Sequence, residues 1–146
     1  MARVLRHFRQ LSVITNALNI AVELACTSVE VILTGGTLRK NSFFTGRAFN
    51  RGDLAPGDCR YPVPGVDGFD VHLGLTTPNL LEAKVNRVMM DISRRTVVVW
   101  DSSKLGRRSL SLIAPPSAVH QVITDRQIAK SDLRALREAG IEVTLV

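Results

Sequence analysis

Short, β-branched apolar runs alternate along this chain with stretches in which apolar residues recur at helical spacing. Leu11–Ile14, Val29–Leu33, Thr96–Trp100, Gln121–Thr124 and Ile141–Val146 read as strands, nearly all apolar rather than strictly alternating. That pattern belongs to strands buried on both faces. Residues 2–10 read as the end of an amphipathic helix, with Val4, Leu5 and Phe8 on one side. Ala17–Ala25, the run carrying Leu81, Val85, Val88 and Met89, and Ser131–Ala139 read as further helices, with Gly140 placed as a C-cap. The order predicts an α/β fold, a mostly parallel sheet with helices on both faces.

The stretch Gly65–Met90 carries the most chemistry. Its first half reads as a polar loop, rich in Gly and Asp and then Gly-Leu-Thr-Thr-Pro. Asn79 stands where an N-cap would, and Glu82 follows three residues later, close to a capping box. Such a loop brings Asp67, Asp70, Thr76 and Thr77 to a helix N-terminus, which suits a phosphorylated or polyhydroxylated ligand. An ordinary capped connection fits the same letters. In parallel sheets, however, ligands bind beyond the carboxyl ends of the strands. Thr15-Asn16, Gly35-Gly36, Asp67 and Asp101–Lys104 each follow a strand or expected strand, which predicts one pocket at one rim. Small residues there admit a close ligand, and Lys104 offers a point charge for a phosphate.

Composition narrows the class. The 146 residues, 45% of them hydrophobic, have a mean hydropathy of +0.12, as expected of one globular domain. No apolar run reaches the roughly 18 to 20 residues that span a bilayer, and the start MARVLRHFRQ is too charged for a signal peptide. A cytoplasmic protein with no membrane partner is expected. The net charge of +6 and pI of about 10.1 raise the question of nucleic acid. The basic residues are scattered, without interleaved aromatics or helix-turn-helix spacing, so they read as a solvated surface. Cys26 and Cys59 lack metal-ligand spacing, and Cys26 reads as a core thiol. His7, His72 and His120 have no nucleophile or carboxylate partner in view, so neither a metal, a cofactor nor a catalytic residue is expected.

One segment, Thr45–Pro64, shows neither periodicity and is crowded with Gly and Pro. A structureless loop of that length is unusual within a compact domain. Its Arg51-Gly52-Asp53 triplet is read as chance.

The motifs Val13–Ala25, Val31–Phe43, Gly65–Met90, Val97–Ser117 and the run from Val122 to the end together resemble the C-terminal effector-sensing domain of DeoR-family bacterial transcriptional regulators. The AgaR-like branch, tied to amino-sugar use, is the most similar. The resemblance implies a Rossmann-like fold of the ribose-5-phosphate isomerase and CoA-transferase kind. It also implies a repressor whose homo-oligomeric sensor binds a phosphorylated sugar and alters operator affinity through an N-terminal helix-turn-helix domain. Carried over by residue, the pocket comprises Thr15, Asn16, Gly35, Gly36, Asp67, Asp70, Thr76, Thr77, Glu82 and Lys104.

Against that pattern the chain is expected to be a partial sensor domain over 1–146, truncated at its N-terminus and so incomplete in fold. The helix-turn-helix domain, the first sensor strand and its phosphate loop would then lie upstream, and DNA would be reached only through the missing domain. Residues 45–64 replace a helix and an apolar strand of similar length, as a shifted reading frame would. Trp100 stands where a smaller residue is usual. The competing readings are a sugar-phosphate isomerase-like enzyme and a non-functional remnant. The first would use Asp67, Asp70, Glu82 and Lys104, but related isomerases carry a lysine where Leu73 precedes Gly74.

Overall fold

The computed structural model describes residues 2–35, 37–38, 45–46 and 59–146. They fall in two compact units, Met1–Phe49 and Asn50–Val146.

The first unit begins with a short helix α1 (Ala2–Leu5), strand β1 (Ser12–Thr15), helix α2 (Leu18–Leu24) and strand β2 (Glu30–Leu33). β1 and β2 pair in parallel, Ser12 beside Glu30 through Thr15 beside Leu33, with α2 as the crossover that parallel pairing requires. Leu24 is fully buried. Thr27 ends the helix: its hydroxyl donates to the Leu24 carbonyl at 2.7 Å and accepts from the Val29 amide at 3.2 Å. Arg3 and Arg6 both reach the Glu23 carboxylate, at 3.8 and 3.3 Å, tying α1 to α2. Cys26 lies past the last buried turn of α2 and is exposed, not the core thiol expected of it. Two-residue strands β3 (Thr37–Leu38) and β4 (Thr45–Gly46) pair antiparallel. The Arg51-Gly52-Asp53 triplet and most of the Gly/Pro-rich segment lie outside the described residues.

The second unit holds two three-stranded sheets. Strands β7 (Val97–Val99), β9 (Gln121–Thr124) and β10 (Glu142–Leu145) form the parallel sheet, in the order β10-β9-β7. Its inner face carries Val98 and Val122, both fully buried, each stabilising the fold by about 1.5–3 kcal/mol. Helix α4 (Lys130–Glu138) connects β9 to β10, buries Leu136, and ends at Gly140, whose φ of +79° is the left-handed turn expected of a C-cap glycine. The α/β class and the parallel strands therefore agree with the apolar pattern of the sequence.

The second sheet corrects it. Gly68–Asp70 and Gly74–Thr77, read as a loop, are strands β5 and β6 of an antiparallel hairpin. A further strand, β8 (Ser111–Ala114), adds to β6 with a bulge opposite Leu75 and Thr76. Asp70, Thr76 and Thr77 are thus sheet residues rather than loop residues. Close backbone approach explains the glycines: a Cβ on Gly74, at φ +107°, would sit 2.1 Å from the Ala114 carbonyl oxygen. Helix α3 (Leu80–Asp91) follows β6 and buries Ala83, Val85, Asn86 and Met90.

Trp100, just beyond β7, stacks on Phe69 of β5, with ring centroids 5.0 Å apart and planes 28° from parallel. The two rings join the parallel and antiparallel sheets in one core, where such a stack adds about 0.5–1.5 kcal/mol beyond burial. The stretch Cys59–Pro64 runs beside the start of β7. Its Cys59 carbonyl accepts from Arg94 at 3.4 Å and its Pro62 carbonyl from Val97 at 3.2 Å.

Candidate functional site

Among the candidate residues of the second unit, Asp67, Thr77 and Glu82 lie where β6 ends and α3 begins. Asn79 sits in extended backbone, and its side-chain oxygen accepts from the Glu82 amide at 3.0 Å, the cap foreseen from the sequence. Just before it, the Thr77 hydroxyl donates to Asp67 Oδ2 at 3.0 Å. Thr77 is fully buried and Asp67 half-buried. This corner therefore combines a helix amino end, a carboxylate and a hydroxyl held by it. Glu82 lies half-buried in the first turn of α3.

Thr76 does something else. Successive strand residues face opposite ways, and its hydroxyl donates to the Gly68 carbonyl at 3.2 Å while accepting from the Ser109 amide at 3.0 Å. That clamps the segment after Lys104 against the hairpin. The two adjacent threonines thus lie on opposite faces, and only Thr77 belongs to the α3 corner.

Asp70 is also committed to the fold. Its Oδ1 accepts from the His72 and Leu73 amides at 2.9 and 3.0 Å, closing the hairpin turn. Its Oδ2 meets Arg108, with Nε at 2.9 Å. The His72 amide, then the Arg108 guanidinium and the Leu73 amide, hold this carboxyl below the usual carboxylate range. Nothing in the sequence pattern singled out Arg108, which lies 38 residues away.

Lys104 closes a 3-10 turn, Ser102–Lys104, capped by Asp101. The Asp101 carboxyl accepts from the Ser103 hydroxyl and from the Ser103 amide at 3.2 Å, which hold it below the ordinary range. Asp125, after β9, accepts from the Ser102 amide at 2.7 Å and the Gln127 amide at 2.8 Å, with the same consequence for its carboxyl. Beyond the turn, the Gly106 amide donates to the Phe69 carbonyl at 2.8 Å. Lys104, half-buried, therefore sits on a loop pinned to the end of β9 on one side and to β5 on the other.

In the first unit, Thr15 ends β1, is buried, and its hydroxyl accepts from the Ala17 amide at 3.1 Å. Asn16 follows, half-buried, and Gly35 turns the chain after β2 with φ +71°. Gly36 lies outside the described residues. Among the described residues no three His, Cys, Asp or Glu side chains converge to hold a metal ion. Nor is any described helix long and apolar enough to cross a membrane.

Comparison with known proteins gives a consistent result. The profile of the family described as the DeoR C terminal sensor domain matches residues 1–126. A candidate aga operon transcriptional repressor of Escherichia coli O157:H7 is 36% identical over 149 residues, covering 100% of this chain and 55% of the relative. The transcriptional regulator GlpR of Haloferax volcanii is 33% identical over 130 residues, covering 89% of this chain and 51% of its own. The glycerol-3-phosphate regulon repressor of Escherichia coli strain K12 is 27% identical over 147 residues, covering 99% and 58%. The chain thus spans a little over half the length of the curated relatives it matches.

Proposed function

Since this chain belongs to the DeoR C-terminal sensor domain family, we propose that it binds a phosphorylated sugar and, in a longer regulator, passes that event to a DNA-binding domain. Its relatives are transcriptional regulators, one of them named for the glycerol-3-phosphate regulon and one for the aga operon. The observation that carries the proposal is the corner at the amino end of α3, where Thr77 and Asp67 stand beside a capped helix of 12 residues. A helix amino end and hydroxyl-accepting groups suit a small, oxygen-rich, anionic ligand. Lys104 is assigned the phosphate charge, and Glu82 a place at the rim. Thr15, Asn16, Gly35 and Gly36, in the first unit, are assigned as effector contacts by resemblance alone.

The mechanism is linkage. A ligand that binds one arrangement of a homo-oligomer better than another shifts the population, and operator affinity follows. The chain is then the sensor domain over 1–146, cytoplasmic, and contacts DNA only through a helix-turn-helix partner domain. An isomerase reading is disfavoured by Asp70, whose carboxylate is occupied by two amides and a guanidinium rather than free to act as a base.

Thermal melting with glucosamine 6-phosphate, ribose 5-phosphate and glycerol 3-phosphate, against the unphosphorylated compounds, tests the proposal. Saturation at a hundredfold above Kd stabilises a protein by about 2.7 kcal/mol. A shift with at least one phosphorylated compound is expected, and none with its free counterpart. No shift with any would overturn it, and turnover of a sugar phosphate lost on Glu82→Gln would favour the enzyme.

A further inference from the structure

Thr77 has a polar neighbour on each side. Asp67 Oδ2 accepts a hydrogen bond from its hydroxyl at 3.0 Å. Ser111 is its direct partner in the antiparallel pairing of β6 with β8, so the two side chains stand on one face with Cβ atoms about 5 Å apart. Having donated to Asp67, Thr77 has no proton for Ser111. The Ser111 residue is 4% exposed, and its Oγ has no hydrogen-bond partner among the described residues. Buried hydroxyls in native folds are nearly always paired.

The chain path fixes what lies beside that hydroxyl. β6 ends at Thr77, α3 begins at Leu80, and β8 begins at Ser111. Two turns into α3, Arg87 donates to the Ile113 carbonyl at 2.8 Å. As the pairing partner of Thr77, the last residue of β6, Ser111 stands at the end of the sheet from which α3 starts. The corner combines the helix amino end, the Asp67 carboxylate and an uncommitted serine hydroxyl.

A helix amino end alone draws an anion. A carboxylate at the same corner repels one, by Coulomb interaction across a partly buried space. A neutral hydroxyl suits both side chains: it donates to Asp67 and accepts from Ser111. We infer that Ser111 is a ligand-contact residue, and that this corner takes a sugar hydroxyl of the effector while the phosphate is held elsewhere. The inference rests on the effector-binding reading above. Serine rotates readily among staggered rotamers, so its Oγ turns toward the Asp67 side as the ligand arrives.

Isothermal titration of the whole chain with glucosamine 6-phosphate, glycerol 3-phosphate and inorganic phosphate tests it. Ser111→Ala should weaken the sugar or polyol phosphate about tenfold, the loss of one hydrogen bond, and leave inorganic phosphate unchanged. Asp67→Asn should weaken the same ligands. If a phosphate occupied this corner, Asp67→Asn would instead tighten inorganic phosphate by removing a like charge, and that result overturns the inference. So does a Ser111→Ala variant that binds every probe as the parent does. If no phosphorylated probe binds the parent chain, the effector reading itself fails and the inference falls with it. Without ligand, Ser111→Ala should melt at or above the parent temperature, since it removes a hydroxyl with no partner. A clear drop would mean the hydroxyl is already engaged, and would overturn the premise.

Discussion

Asp70 and Arg108 form a two-point contact across 38 residues: Nε and Nη2 of the guanidinium lie 2.9 and 2.8 Å from the same carboxylate oxygen, Oδ2. The other oxygen is left for the hairpin turn. Removing the carboxylate thus loosens both the turn and the segment carrying Ser109 to Thr76. Asp70→Ala should cost about 1.5–3 kcal/mol, the range for charge-assisted hydrogen bonds. Asp70→Asn, which keeps an acceptor for the two amides, should cost about 1 kcal/mol. Urea denaturation midpoints measure both.

The same carboxyl makes stability depend on acid. Its folded pKa lies below that of the unfolded chain, so on acidification the unfolded state takes up a proton first. The stabilisation is complete above the ordinary aspartate value of about 3.9 and is lost as pH falls through the lower folded value. Asp101 and Asp125 shift in the same direction, so some acid sensitivity persists without Asp70. Urea midpoints from pH 6 to 3 should converge between the parent and Asp70→Asn at the acid end. Parallel curves would contradict the assignment.

Arg87 protects an edge. Its guanidinium donates to the Ile113 and Leu112 carbonyls, each at 2.8 Å, along the strand that ends the antiparallel sheet. Exposed strand edges invite pairing with other chains. Arg87→Ala should lower stability by about 1–2 kcal/mol and increase light scattering on heating, with Arg87→Lys intermediate because one ammonium replaces a two-pronged donor. Melting followed by scattering distinguishes the three.

Gly74 tolerates no side chain. With φ at +107° and the Ala114 oxygen 2.1 Å from the position of an added Cβ, Gly74→Ala is expected to cost on the order of 3 kcal/mol or more. Gly140→Ala, where φ is +79° but no atom lies within 4 Å of the added Cβ, should cost only about 1 kcal/mol. A comparison of their melting temperatures separates backbone strain from steric conflict.

The elements readable from the sequence were those whose burial is written locally. Val97–Val99 and Gln121–Thr124 are dense in β-branched residues, and Asn79 with Glu82 announces the start of α3. Gly68–Asp70 and Gly74–Thr77 carry no such signal. They are strands because Ser111–Ala114, more than 30 residues on, pairs with one of them, and their glycines serve close backbone contact. The candidate site shows the same division. Asp67, Thr77 and the α3 cap were visible in a single stretch, whereas the roles of Asp70 and Thr76 depend on Arg108 and Ser109. Ser111 carried no local cue, because its place beside Thr77 exists only once β8 has joined the sheet.

Two consecutive threonines hold the antiparallel sheet from opposite sides, one turned to the α3 corner and one to the Ser109 clamp. Strand periodicity makes that division a matter of parity. A change of one residue in the length of the Val71–Leu73 turn would exchange their duties, handing the α3 corner the residue that fastens the loop. Insertions or deletions in this hairpin would therefore be accommodated in pairs, so the length of its turn constrains the α3 corner as firmly as the residues that line it.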